Sequence, residues 1–265
     1  MLLTRILTAI VGIPFMFLCV FFGGTMFYLM MFVISFFCVY EYLDILKKYR
    51  PYIKISLLMA VLFFLFLHFC SEIHINEVSF SAIVIAIVFF VKEVLAENPK
   101  SSIERIAVSF LGAFFIPLCL IHMVYLRNLY GGMEIIFFVF IVVWVLDTAA
   151  YAFGSMFGKR KLAKHISPKK TMEGAVAGLA FGILTAIICR AIFMSSILSM
   201  CDSIILGFVI SIFGQFSDLA ESLIKRDGDI KDSGKMIPGH GGFFDRFDSY
   251  IFAAPAVYYV LKLLK

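Results

Sequence analysis

Long apolar runs alternate along this chain with short polar breaks. Nine runs can be drawn, at roughly 5–22, 25–46, 53–70, 78–95, 104–126, 133–157, 172–194, 203–224 and 247–264. About twenty residues of α-helix rise about 30 Å, the thickness of a bilayer's hydrocarbon core. The pattern predicts an all-α polytopic membrane protein of about nine transmembrane helices. Residues 1–132 hold five of the spans. Residues 133–265 hold the other four, with a basic loop at 158–171 and a polar loop at 225–246, and carry the chemistry. Pro14, Pro117 and Pro255 fall inside runs and predict kinks. Arg5 precedes an apolar run as in a signal peptide. No small-residue cleavage site follows it, so a retained first span is predicted.

Every second break is basic. Lys47, Lys48, Arg50 and Lys54 follow the second run, and Lys159, Arg160, Lys161, Lys164, Lys169 and Lys170 the sixth. Lys225, Arg226, Lys231, Lys235 and Arg246 follow the eighth. The other breaks are nearly free of cations: the third carries Glu72 and Glu77, the fifth only Arg127. This asymmetry places the N-terminus and the basic loops in the cytoplasm and the C-terminus outside, where Lys262 and Lys265 snorkel. Composition agrees. The 265 residues are 62% hydrophobic and 15% charged, where soluble domains have about a quarter charged. The net charge of +5 is modest, and its distribution says more than its sum. Cys19, Cys38, Cys70, Cys119, Cys189 and Cys201 all lie in or beside apolar runs without a CxxC pair, so buried free thiols are expected, not disulfides or zinc. His68 and His122 read as packing residues.

An acid at mid-span costs about 2.5–3.5 kcal/mol on insertion scales. Asp147 accepts that cost after twelve apolar residues; so do Asp218 and Glu221, and the pair Asp245 and Asp248 at the mouth of the last run. On a helix, Gln215, Asp218, Glu221, Ser222 and Lys225 line one face. Asp218 lies about 10 Å along that helix from the Lys225–Arg226 pair at the interface. These acids predict a polar cavity open to the cytoplasm. Converging carboxylates without basic partners at the same depth repel, and a divalent cation resolves the repulsion. All-oxygen ligation favours magnesium, manganese or calcium over zinc. The alternative is interhelical ion pairs with Lys225, Arg226 or Arg246. Glu41 and Asp44, beside Lys47 and Lys48, read as interfacial acids.

Two loops add anion-binding chemistry. Ser167–Gly174 reads SPKKTMEG, with two lysines before Thr171 at a helix start and Glu173 in its first turn. Pro238–Gly242 reads PGHGG, a turn whose backbone amides can approach a phosphate. Alone, the first is an ordinary positive-inside loop and the second an ordinary turn. Together with the acids they suit a magnesium-bound polyphosphate meeting a membrane-embedded acceptor.

The run Ser222-Leu-Ile-Lys-Arg, then Lys231-Asp232, then Ile237-Pro-Gly-His-Gly-Gly-Phe-Phe-Asp-Arg-Phe-Asp248 resembles the signature of the phosphatidate cytidylyltransferases, or CDP-diacylglycerol synthases. Gly214-Gln215, Asp218-Leu, Glu221-Ser222, Asp147-Thr-Ala-Ala-Tyr151 and Ser167-Pro-Lys-Lys-Thr171 resemble the same family. Met172 stands where the family often has Trp. The match covers about 147–174 and 214–248; the first five spans resemble the family only in being apolar.

The resemblance implies a multi-pass enzyme of a bacterial inner membrane, with its active site facing the cytoplasm. It implies transfer of the cytidylyl group of CTP to phosphatidic acid, giving CDP-diacylglycerol and pyrophosphate. It further implies Mg2+, a second cation (K+), contact with membrane lipids and a homodimer; no nucleic-acid partner is expected. Asp218, Asp245 and Asp248 are expected at the metal. Asp147 and Glu221 are expected either as ligands of the second cation or as orienters. Lys169, Lys170, Lys225 and Arg226 are expected on phosphates of CTP or of the lipid, with Thr171 and Ser222 beside them. Lys231 and the turn Gly239, His240, Gly241 and Gly242 are expected over the nucleotide. Rival readings are a CTP-dependent lipid kinase, which would release CDP, and an ion-coupled transporter, against which no inverted repeat is seen. A CDP-alcohol phosphotransferase lacks its acceptor motif here.

Overall fold

The computed structural model describes residues 2–70, 74–96, 99–234 and 236–264. Glu72, Lys235 and Lys265, and the side chain of Arg5, lie outside what is described. The chain is an all-α polytopic membrane protein. Its helices are α1 (Leu2–Phe22), α2 (Gly24–Ile45), α3 (Ile53–Phe69), α4 (Ile75–Val94), α5 (Ser102–Phe110), α6 (Ile116–Asn128), α7 (Gly132–Phe157), α8 (Met172–Cys189), α9 (Met200–Asp227) and α10 (Phe244–Leu264). Among the described residues seven helical stretches are long and apolar enough to cross a bilayer, α5 and α6 counting as one. The apolar part of α1 and all of α3 are shorter. At 17 residues, α3 rises only about 25 Å.

Two π-turns depart from plain helix, and the first has a local cause. A wide π-turn at Leu111–Phe115 links α5 to α6 immediately before Pro117, whose ring removes a backbone donor. A second π-turn, Arg190–Met194, ends the α8 span. Pro14 and Pro255 lie inside α1 and α10. The basic loop is not irregular. Lys161–Ala163 (β1) and Ser167–Thr171 (β2) pair antiparallel.

The chain divides into two compact units, each drawn from separated stretches. One comprises residues 1–14, 28–121 and 224–247. In it Phe63 stacks on Phe114 at 5.1 Å, and Gly112 admits Tyr42 and Leu43 against the π-turn. Glu93 of α4 accepts hydrogen bonds from Tyr52 Oη at 2.7 Å and Ser102 Oγ at 2.8 Å, and pairs with Arg105. The other unit comprises residues 15–27, 122–223 and 248–265. Here α7 and α8 pack closely because Gly174, Gly178 and Gly182 recur every fourth residue along α8. A Cβ on Gly174 would meet the Ala150 carbonyl, and one on Gly178 the Leu146 side chain. Arg127 donates to the carbonyls of Val20 and Phe21 at the open end of α1.

Candidate active site

Three carboxylates converge in the second unit. Asp218 and Glu221 sit at i and i+3 on α9, so they share a face. Asp248 joins them from α10. One oxygen from each lies within 4.8 Å of the others. Glu221 is 2% exposed, and the two aspartates are half-buried. Ser217, the neighbour of Asp218, helps set this arrangement. Its hydroxyl donates to the Asp248 carbonyl and accepts from the Phe252 amide, occupying the link that an unbroken helix makes directly. Three hard oxygen donors at this spacing fit Mg2+ or Mn2+.

A cation of the protein's own reaches the cluster. Lys170 of β2 pairs with Asp218 at 2.5 Å. The expectation that these acids lack a basic partner is thereby corrected. Lys170 gets there because strand side chains alternate: Lys169 points to solvent and Lys170 inward. Thr171 is buried and caps α8, its hydroxyl accepting the Gly174 amide at 3.1 Å. Glu173 accepts the amides of Lys159 and Arg160 and so pins the base of the basic hairpin. Ser222 is half-buried. Asp147, on α7, is exposed and outside the three-acid group.

In the first unit an acid of the α10 start holds described residues on either side of the link from α9 to α10. Asp245 takes a different place from the one its spacing suggested. It pairs with Lys225 at 2.8 Å and accepts the amides of Ser233 and Gly242. Both of its oxygens are thus engaged by donors, and Lys225 is engaged with it. For Asp245 this is the ion-pair alternative. Arg226 donates to the Ile230 carbonyl at 3.3 Å. Lys231 is exposed and His240 half-buried. Gly239 and Gly241 adopt φ of +78° and +87°, where a side chain would strain the backbone. A Cβ on Gly242 would fall on Ser233 Oγ and Glu41 Oε2. The Gly242 amide, expected to approach a phosphate, is bound to Asp245.

The family model described as the cytidylyltransferase family matches residues 3–264. The chain belongs to the cytidylyltransferase family. Among curated relatives, the phosphatidate cytidylyltransferase of Bacillus subtilis (strain 168) is 38% identical over 171 residues, 64% of this chain and 63% of that protein. The phosphatidate cytidylyltransferase of Staphylococcus saprophyticus is 45% identical over 124 residues, 47% of each chain. That of Staphylococcus haemolyticus is 44% identical over 124 residues, again 47% of each. The matched stretch thus spans less than two thirds of each of these relatives.

Family membership covers spans in which the sequence showed no chemistry, and one residue there was misjudged. Glu41 of α2 is not an interfacial acid beside Lys47. It is 2% exposed and receives Ser233 Oγ, the Phe243 amide and the Phe244 amide. One signal was present: an acid one turn inside the end of an apolar run needs donors if it is buried. Its donors lie 192 to 203 residues away, beyond the reach of local pattern.

Proposed function

We propose that this chain transfers the cytidylyl group of CTP to phosphatidic acid, releasing pyrophosphate, at the cytoplasmic side of a bacterial inner membrane. The observation that carries the reading is the cluster of Asp218, Glu221 and Asp248, with Lys170 upon it, in a chain that matches the cytidylyltransferase family nearly end to end. An oxygen of the lipid phosphate attacks the α-phosphorus of CTP. A new P–O bond forms as the bond to the β-phosphate bridging oxygen breaks, and pyrophosphate carries away the electron pair. Phosphate monoesters have a second pKa of about 6, so the lipid phosphate is mostly a dianion at neutral pH and needs no strong base.

The protein's work is to hold two anions in line and balance their charge. Asp218, Glu221 and Asp248 would hold a divalent cation, magnesium for preference. When bound, such an ion offsets charge on the polyphosphate. Lys170 hands its ammonium from Asp218 to a phosphate oxygen. Lys169 attracts the nucleotide from solvent. Asp147 orients groups near the acids or serves a second cation. The signature loop, with Lys231 and the turn residues Gly239, His240 and Gly241, is a phosphate-binding segment in its own right. A homodimer is the proposed assembly.

The test uses purified protein in detergent with radiolabelled CTP, phosphatidic acid and Mg2+. The reading expects a CDP-lipid and pyrophosphate in equal amounts. CDP with a newly phosphorylated lipid would make it a kinase instead, and no CTP turnover at all would sink the reading.

A further inference from the structure

The helix start at Phe244 presents backbone amides that resemble a phosphate-binding site. In this structure a carboxylate of the chain itself sits there. Glu41 Oε1 accepts the Phe243 amide at 3.1 Å, and Oε2 accepts the Phe244 amide at 2.8 Å and Ser233 Oγ at 2.9 Å. Ser233 Oγ in turn accepts the Asp245 amide at 3.3 Å, and the Ser233 amide donates to Asp245. Around them Phe243 stacks on Phe37 at 4.9 Å, and Phe244 packs edge-on to Tyr42. Gly234 and Gly242 both lie so close to the Glu41 carboxyl that neither position has room for a Cβ. The carboxylate is therefore enclosed by groups shaped to receive it, and it joins the loop's first half, at Ser233, to its end, at Phe243–Phe244.

We propose that Glu41 is a positioning residue of the reaction: an internal anion that occupies the α10 start and ties Ser233 to Phe243 and Phe244. A ligand phosphate then meets the loop at its exposed groups, such as Lys231, and not at the Gly242–Phe244 amides. The opposite arrangement is a placeholder, in which the Glu41 carboxylate is displaced when a nucleotide phosphate takes those amides. The two give effects of opposite sign. In Glu41→Gln one oxygen becomes an NH2 donor facing N–H and O–H donors, so at least one charge-assisted bond is lost. An anchor predicts that the KM for CTP rises roughly tenfold, the scale of one such bond, with the KM for phosphatidic acid changing less. A placeholder predicts that the KM for CTP falls.

The kinetic arm rests on the cytidylyl-transfer reading; a second arm does not. Trypsin cleavage after Lys231 in detergent is expected to speed up roughly tenfold in Glu41→Gln, because loop opening becomes easier by the same bond. Ser233→Ala removes one member of the network and leaves Glu41 in place, so it covers the case in which Glu41→Gln does not fold. It is expected to shift both readouts the same way by a smaller factor, and the double variant to fall short of the product of the two, since they share one network. A fall in the KM for CTP, or loop cleavage unchanged in both variants, overturns the anchor. An inactive wild type whose loop cleavage still responds to Glu41→Gln would leave the anchor standing and remove the function.

Discussion

Two sets of buried or half-buried acids in this protein have opposite surroundings. Glu41 and Asp245 face donors: amides, the Ser233 hydroxyl and the Lys225 ammonium. Asp218, Glu221 and Asp248 face one another, with Lys170 the cation paired at the cluster. Glu93 belongs with the first set, held by Tyr52, Ser102 and Arg105. A carboxylate ringed by donors has its charge met by the fold and is structural. Carboxylates crowded on each other repel and leave negative charge in excess, which a bound cation would offset. The same chemical group thus reads as brace or as ligand according to the sign of its neighbours.

The sharpest way to break this contrast is Asp218→Asn. It removes a charge from the crowded set while keeping shape. Turnover is expected to fall more than roughly 100-fold, the upper end for loss of a partner that merely supports a metal. The protein should still insert and purify. A second readout needs no turnover: Mg2+ should raise the unfolding temperature of the wild type by mass action, and this rise should vanish in the variant. Activity within a few-fold of wild type, or an undiminished Mg2+ effect, would remove the cluster's role.

Next comes the braced set. Arg105→Met leaves Glu93 buried with its hydroxyl partners but without its countercharge. Breaking a buried pair from one side costs about 3–5 kcal/mol. A lower unfolding temperature is expected, with the KM for CTP and the Mg2+ response unchanged. The Tyr52 hydroxyl remains a donor throughout, since burial first and the bond to Glu93 second raise it above its ordinary 10.0. A loss of Mg2+ response at wild-type stability would show that the two sets of acids are not distinct.

How far the sequence could be read follows the same division. The spans at 25–46, 53–70 and 133–157 match Gly24–Ile45, Ile53–Phe69 and Gly132–Phe157 almost residue for residue, because glycines, lysines and loop residues end each apolar run sharply. Thr171 was legible as a helix start because capping is local. The β1–β2 hairpin was not, since its eleven-residue span carries cations instead of an apolar alternation. The pairing of Asp218 with Asp248 could be suspected from position alone, as both lie at the polar end of adjacent spans. Choosing Glu221 over Asp245 as the third acid needed more. Both stand three residues from an aspartate of the cluster. Asp245, however, lies in the first turn of α10, where an acid can reach back to the Gly242 amide. That local signal was in the sequence. The destination of Glu41 was not, because no local rule joins α2 to a loop some 200 residues on.

The smallest predicted effect separates two adjacent lysines. Lys169 and Lys170 are chemically the same, and strand alternation sends them to opposite faces. Lys170 stands on Asp218, half-shielded from solvent, so its charge acts at short range in a medium that screens weakly. Lys169 is exposed, and its charge is screened by salt. Lys170→Ala is therefore expected to lower kcat/KM roughly tenfold, with little dependence on ionic strength. It should also enlarge the Mg2+-induced rise in unfolding temperature, because Asp218 loses the ammonium of Lys170. Lys169→Ala is expected to raise the KM for CTP only a few-fold, more than the KM for phosphatidic acid, and the effect should fade above about 0.3 M salt as the screening length shrinks. If Lys169 proved the more important of the two, the hairpin's exposed face would be the site of chemistry and the crowded acids would lose their cation's meaning. If Lys169→Ala raised the lipid requirement instead, the exposed face would serve the membrane substrate and not the nucleotide.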